Sequence, residues 1–348
     1  MEEPCGGEGC GTTDEHGWTR IRGGERRSQS LGDFVEAQER FPLFSGMNWK
    51  RILRRALVAT GVLLAVAGVL FGAGWWYLHP GVERINGVVY GERRGQPLTM
   101  DVLRAPSPNG RGVMLLVSGS WRSKRPGEFA EWIAAPLLRR GYTVFAVCHI
   151  SQPQATVPEI VADLTRAVRF IRHTARRYGV DPARLGVAGG SSGGHLSLML
   201  ATKGDSGRPE AGEPVERESS AVQAVAIFFP ITDLLNLGKS TENPGDGGPP
   251  KSYVKAFGPE AREMARWKEI GRDVSPIYHV SASLPPVLIH HGDADTLTPL
   301  EQSEWFREAA RKVGREVIIR VHSGGKHGWT TMPWDVYRFA DWFDAHLR

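Results

Sequence analysis

The stretch Gly189-Gly190-Ser191-Ser192-Gly193-Gly194-His195 follows a short apolar run, Leu185-Gly186-Val187-Ala188, and precedes Leu196-Ser197-Leu198-Met199-Leu200-Ala201. That order reads as strand, glycine-rich turn, helix. The turn satisfies G-x-S-x-G, the pattern of a nucleophile elbow. A serine held in a sharp, strained turn needs neighbours without Cβ, so that strand and helix can approach closely. The helix then begins at the nucleophile, and its free N–H groups and positive end favour an oxyanion beside it. Two serines fit the pattern, Ser191 between Gly189 and Gly193 and Ser192 between Gly190 and Gly194. Ser191 is the preferred nucleophile.

Working outward, the body around this turn alternates strands with helices. Val88–Glu92 and Leu98–Leu103 read as an antiparallel pair, and Gly112–Val117 as a buried central strand. Phe129–Arg139 reads as an amphipathic helix, with Phe129, Ile133 and Leu137 spaced by four. Tyr142–Ile150 is another buried strand. Val157–Arg177 carries Ile160, Leu164, Val168 and Ile171 at helical spacing. Strands at Val222–Phe229, Val287–His291 and Val317–Val321 complete the series. The alternation predicts an α/β fold, a mostly parallel central sheet with helices on both faces. Two stretches rich in Gly, Pro and charge, Lys203–Ser220 and Asn236–Asp273, break the rhythm. They are expected as loops or a small cap over the C-terminal edge of the sheet, where open α/β sheets bind ligands.

The N-terminal end is different in kind. Residues 1–48 are rich in Gly, Glu, Arg and Ser without a sustained period, which predicts a disordered tail. Ala56–Leu78 then runs for 23 residues without a charge, and a membrane span needs about 20. Lys50, Arg51, Arg54 and Arg55 precede it and Trp75-Trp76-Tyr77 close it. The apolar region of a cleaved signal peptide is shorter, about 7–15 residues. Residues 49–79 are therefore expected to form one uncleaved transmembrane signal anchor, and the basic flank places the tail in the cytoplasm and the body, residues 80–348, outside.

Composition excludes several classes. The net charge of +5 over 348 residues is modest and scattered, giving no basis for nucleic-acid binding. Three cysteines make no disulfide framework. Cys148 sits in an apolar run as a small hydrophobe, and Cys5 and Cys10 lack further ligands at metal spacing. No metal or organic cofactor is implied.

A serine hydroxyl needs a base to take its proton and a group to orient that base. In an elbow fold the chain order is Ser, then Asp or Glu, then His. His327, in Ser323-Gly324-Gly325-Lys326-His327-Gly328-Trp329, follows the last strand and is the candidate base. The Gly189–His195 stretch resembles the elbow of feruloyl-esterase-like and hormone-sensitive-lipase-like carboxylesterases of the α/β-hydrolase superfamily, whose usual form is close to G-x-S-A-G-G-H. His195 is then part of the motif rather than the base. His291-Gly292-Asp293-Ala294-Asp295 resembles the H-G-x-x-D turn of α/β-hydrolases and prolyl-oligopeptidase-like enzymes. That match implies Asp295 as the acid, with Asp293 shaping the turn through its own backbone. Asp233 is the outside candidate, and His290 and His291 are expected in supporting or core positions.

The oxyanion donors implied are the N–H of Ser192 and an N–H from Val117-Ser118-Gly119-Ser120-Trp121, at Gly119 or Ser120. The family usually has H-G-G-G-W or G-G-W there, so Ser118 and Ser120 depart from it. The resemblance covers about Val82 to Arg348. It implies a serine hydrolase acting on a small-molecule carboxylic ester, with short or carbohydrate-linked acyl groups, and the apolar run Ala56–Leu78 adds a membrane anchor. The alternatives are a serine peptidase of prolyl-oligopeptidase type and an inactive hydrolase fold used as a binding module.

Overall fold

The computed structural model describes residues 48–348. The tail expected over residues 1–48, with Cys5 and Cys10, lies outside the described residues apart from Asn48. Helix α1, Trp49–Leu78, buries none of its residues and is the one helix among the described residues long and apolar enough to cross a membrane. A helix apolar on every face requires an apolar surrounding.

The body is built on one eight-stranded sheet. Its strands are β1 (Glu83–Arg93), β2 (Gln96–Arg104), β3 (Gly110–Leu116), β6 (Thr143–Val147), β7 (Val180–Gly190), β8 (Ala224–Phe228), β9 (Val287–Gly292) and β10 (Val317–His322). A separate two-stranded hairpin, β4 (Ser118–Gly119) with β5 (Arg122–Ser123), follows β3. The sheet order is β1-β2-β6-β3-β7-β8-β9-β10. β1 and β2 pair antiparallel, as do β2 and β6, and every later pairing is parallel. This is the α/β-hydrolase architecture.

Alternate residues of the central strands feed two cores, as a period of two dictates. Met114, Phe145, Val187, Val225 and Ile289 face helices α3 (Val157–Thr174) and α4 (Ser192–Lys203). Val113, Val144, Ala188, Ala226 and Leu288 face α2 (Ala135–Arg139) and α7 (Met332–His346). Helix α3 starts on a capping box in which Thr156 accepts from the Glu159 N–H and Glu159 accepts from the Thr156 N–H, a device worth about 1 kcal/mol.

Two expectations need correction. Phe129–Arg139 is not one helix. A 3₁₀ turn, Glu131–Ala134, leads into α2, with Pro136 in the first turn of α2. Proline has no N–H to give and its ring clashes with the preceding turn, so it belongs at a helix start. The stretch Lys203–Ser220 does not lie over the C-terminal edge of the sheet. It joins the far end of α4 to the start of β8 and packs on α3, where buried Arg169 holds Asp205 at 2.7 Å and Glu216 at 2.7 Å. A helix that starts at one sheet edge ends at the other, so the loop after it belongs to the opposite end. The stretch Asn236–Asp273, ending in α5 (Met264–Asp273), follows β8 and stands at the C-terminal edge.

Candidate active site

The parallel register brings the C-terminal ends of β7, β8, β9 and β10 to one edge. Gly190 pairs with Phe228, Phe228 with His290, and Gly292 with His322. The residues that follow these pairs therefore meet above the sheet.

Ser191 sits at the tip of β7 with φ 55° and ψ −121°, a left-handed conformation that costs a non-glycine residue about 1–3 kcal/mol. The turn is tight because a Cβ on Gly189 would stand 2.6 Å from the backbone of Gly193. Two main-chain bonds hold it, Ser191 N–H to the Phe228 carbonyl at 3.1 Å and His195 N–H to the Ser191 carbonyl at 2.9 Å.

Ser191 Oγ lies 2.9 Å from His327 Nε2, and His327 Nδ1 lies 2.8 Å from Asp295 Oδ2. Asp295 is buried, and its Oδ1 accepts from the N–H groups of Leu297 and Thr298 at 2.9 and 3.0 Å. Burial alone raises this carboxyl, but the hydrogen bond and charge of His327, with the Thr298 donors, hold it below the usual carboxylate range. An ionised acid facing Nδ1 leaves Nε2 free to take the serine proton. Thr298 also supports the pair directly, its Oγ1 lying 2.9 Å from Asp295 Oδ2 and 3.1 Å from His327 Nδ1. Phe229 packs on the His327 ring at 4.4 Å between centroids.

The other acid candidates are occupied elsewhere. Asp293 does not bond its own turn. Its Oδ1 accepts the Gly324 N–H at 2.7 Å, tying the acid turn to the histidine loop. Asp233 accepts from the N–H groups of Leu235 and Asn236 and from the Tyr278 hydroxyl. His291 is fully buried between the Ser303 hydroxyl at 2.7 Å and the Thr298 carbonyl at 2.6 Å, and so holds the Thr298 loop in place.

The turn Gly119-Ser120-Trp121-Arg122 closes the β4–β5 hairpin, with φ 53° at Ser120 and 54° at Trp121. Positive φ at both central residues is the type I′ hairpin geometry, normally given to Asn and Gly. Here side chains hold it. Trp121 is buried, its indole N–H donates to His195 Nδ1 at 3.1 Å, and its backbone N–H donates to Ser192 Oγ at 2.9 Å. His195 in turn donates from Nε2 to the Val274 carbonyl at 2.7 Å. Burial pushes His195 down to about 4, so it stays neutral. The Ser192 hydroxyl also meets Ser118 Oγ at 3.2 Å, and Ser118 meets His149 Nε2 at 2.9 Å.

A small cavity of about 30 Å³ opens beside Ser191, bounded by Ser120, Trp121, Leu237, Tyr253, Leu297 and Pro299. A larger apolar cavity of about 270 Å³ adjoins Gly189 and Gly190 on the α7 side of the sheet, but Ser191 is not among its lining residues.

Residues 101–310, more than half of the chain, match the family model described as BD-FAE. The chain belongs to the BD-FAE family. Among relatives of this family member, the probable carboxylic ester hydrolase LipM of Mycobacterium tuberculosis is 27% identical over 236 residues, covering 67% of this chain and 53% of LipM. The chain thus spans about half the length of such curated relatives. A thermophilic esterase from Thermogutta terrifontis superposes with a TM-score of 0.57 at 26% identity, covering 75% of this chain and 89% of that one. A carbohydrate esterase from gut microbiota superposes with a TM-score of 0.61 at 23% identity, covering 76% and 96%, a likeness of fold.

Thr298 and His149 escaped the sequence reading, which placed Ser118 and Trp121 in the oxyanion loop but foresaw none of their side-chain contacts. Thr298 had a local signal, standing three residues after Asp295, where a hydroxyl can reach back to a carboxylate. The other three are brought together only by the adjacency of β3, β6 and β7.

Proposed function

We propose that this chain is a serine carboxylesterase that cleaves short acyl esters through an acyl-enzyme. The observation that carries the reading is the unbroken relay from Ser191 Oγ through His327 to Asp295, with links of 2.9 and 2.8 Å. Ser191 attacks the ester carbonyl as His327 Nε2 takes its proton. Asp295 keeps the Nδ1–H tautomer and stabilises the imidazolium. The tetrahedral oxyanion is met by the N–H of Ser192, at the start of α4, and by an N–H of Gly119 or Ser120. The Trp121 N–H is committed to Ser192 Oγ, which argues for its two predecessors. His327 returns its proton to the departing alkoxide, then activates the water that releases the acid.

The small cavity at Ser191 supports an acyl group of a few carbons, and a carbohydrate-linked acetyl fits it. Helix α1, with Lys50, Arg51, Arg54 and Arg55 at its start, supports a single-pass anchor holding the body on the periplasmic or extracellular side. The test is labelling by a fluorophosphonate, followed by kcat/KM on p-nitrophenyl esters of two to sixteen carbons. Labelling lost in Ser191→Ala but kept in Ser192→Ala, with rates falling beyond about four carbons, is the expected result. Labelling that survives Ser191→Ala removes the assignment of the nucleophile, and rates that climb past about eight carbons remove the short-acyl reading.

A further inference from the structure

Three side chains that take no part in the relay converge at the base of the loop carrying His327. His290 lies in β9, His322 ends β10, and Asp335 lies in the first turn of α7. His290 Nδ1 is 2.9 Å from His322 Nε2. Asp335 Oδ1 stands 3.6 Å from the first nitrogen and Oδ2 stands 3.7 Å from the second. One ligand atom from each residue lies within 4.8 Å of the other two.

As a set of hydrogen bonds this cluster is poorly satisfied. A single proton can serve the contact between the two rings. The carboxylate is beyond hydrogen-bond reach of either nitrogen. His290 is 2% exposed, packed among Phe228 and Phe339, and its Nε2 is buried without a partner.

We propose that His290 Nδ1, His322 Nε2 and the Asp335 carboxylate form a binding site for a divalent transition-metal ion, best matched by zinc. Two imidazoles and one carboxylate suit zinc, whereas calcium and magnesium take oxygen ligands. Ligands about 2.1 Å from a tetrahedral ion lie about 3.4 Å from one another; the two ring nitrogens stand 2.9 Å apart, and each has a different carboxylate oxygen of Asp335 nearest to it, at 3.6 and 3.7 Å. The ion replaces the proton between the rings, leaving His290 protonated at Nε2 and His322 at Nδ1. Trp329 completes the surroundings. Its indole N–H donates to Asp335 Oδ2 at 2.7 Å, and its ring stacks on His322 at 4.0 Å. An outer donor that orients a ligating carboxylate is a regular part of metal sites.

The ligands bracket the loop that carries His327, with His322 before it and Asp335 after it. The ion would pin both ends of that loop and act by positioning His327.

The test uses the untagged full-length chain in detergent, with Cys5→Ser and Cys10→Ser so that the tail thiols do not count. The protein is stripped with a chelator, titrated with Zn²⁺ or Co²⁺ and desalted. The expected result is one equivalent of zinc retained per chain, a raised Tm, and visible absorption from Co²⁺ in a four-coordinate site. His322→Ala and Asp335→Asn should each weaken binding at least tenfold, since even outer partners of such sites are worth about 10–100-fold. His322→Gln keeps the bulk of the side chain if His322→Ala unfolds. Zinc lost on desalting from the parent protein, or retained equally by folded variants of both ligands, would overturn the proposal. The readouts need no substrate, so they stand apart from the esterase reading.

Discussion

Replacing Asp295 by asparagine changes almost no shape and should remove almost all activity. The asparagine oxygen can still accept the N–H groups of Leu297 and Thr298, which reach Asp295 Oδ1 at 2.9 and 3.0 Å. Its amide nitrogen then faces His327 Nδ1, where Oδ2 stood at 2.8 Å. An N–H pointing at Nδ1 demands a lone pair there, so the proton moves to Nε2 and points at Ser191. The base is blocked by its own hydrogen. In a serine protease the same substitution costs about 10⁴ in kcat, or about 5 kcal/mol at 1.36 kcal/mol per decade. Asp293 is the built-in control. It is exposed, and asparagine there keeps an oxygen for the Gly324 N–H, the contact made at 2.7 Å. That change should cost less than about 1.5 kcal/mol, no more than tenfold. The assay is kcat on p-nitrophenyl acetate at pH 7–8, with unchanged circular dichroism for both proteins. Losses of similar size at the two positions would refute the tautomer argument, and a larger loss at Asp293 would reverse the assignment.

Thr298→Val should lower kcat about fivefold with little change in KM, because it removes one hydrogen bond of about 1 kcal/mol from the Asp295–His327 pair; an unchanged kcat would deny Thr298 a positioning role. Gly189→Ala should be destabilised by about 3 kcal/mol or more, since its Cβ would meet the Gly193 backbone at 2.6 Å. Gly119→Ala, with nothing within 4 Å of the added atom, should stay within about 0.5 kcal/mol by urea unfolding. His195 sets an acid limit. Its folded value of about 4 lies below the unfolded value of about 6.5. The unfolded chain therefore binds the proton first, and the stability His195 contributes is complete above pH 6.5 and lost as pH falls toward 4. The slope is about 1.4 kcal/mol per pH unit. Urea midpoints between pH 7 and 5 should fall less steeply in His195→Gln, and parallel curves would refute this.

What could be read from residues alone follows a physical divide. The elbow was legible because its glycines, serine and flanking apolar runs are contiguous. The strands were legible because buried parallel strands are short apolar runs between turns. His327 came from chain order and its place after the last strand, and Asp295 from the resemblance of its turn. The helix expected over Phe129–Arg139 failed at Pro136, which a spacing count passes over. The turn at Ser120 and Trp121 was beyond residue preference altogether, since neither favours positive φ. Trp121 is held there by His195 and Ser192, some seventy residues away in the chain. The network of Ser118, His149 and Ser192 was hidden for the same reason, because sheet order, not sequence distance, makes those residues neighbours.

The contact between the acid turn and the histidine loop divides the relay unevenly. The Asp293 N–H reaches the His322 carbonyl at 3.2 Å, the Ala294 N–H reaches the Gly325 carbonyl at 2.9 Å, and Asp293 Oδ1 holds the Gly324 N–H. Asp295 and His327 therefore ride on one stitched unit at the ends of β9 and β10, while Ser191 stands on β7 with β8 between. A displacement at this edge carries the Asp295 carboxylate and the His327 imidazole together and preserves the hydrogen bond between them. The seam that opens first is the one between imidazole and hydroxyl. Partial heating or mild denaturant should then yield a folded but unreactive state, its imidazole still paired with its carboxylate and its serine no longer engaged.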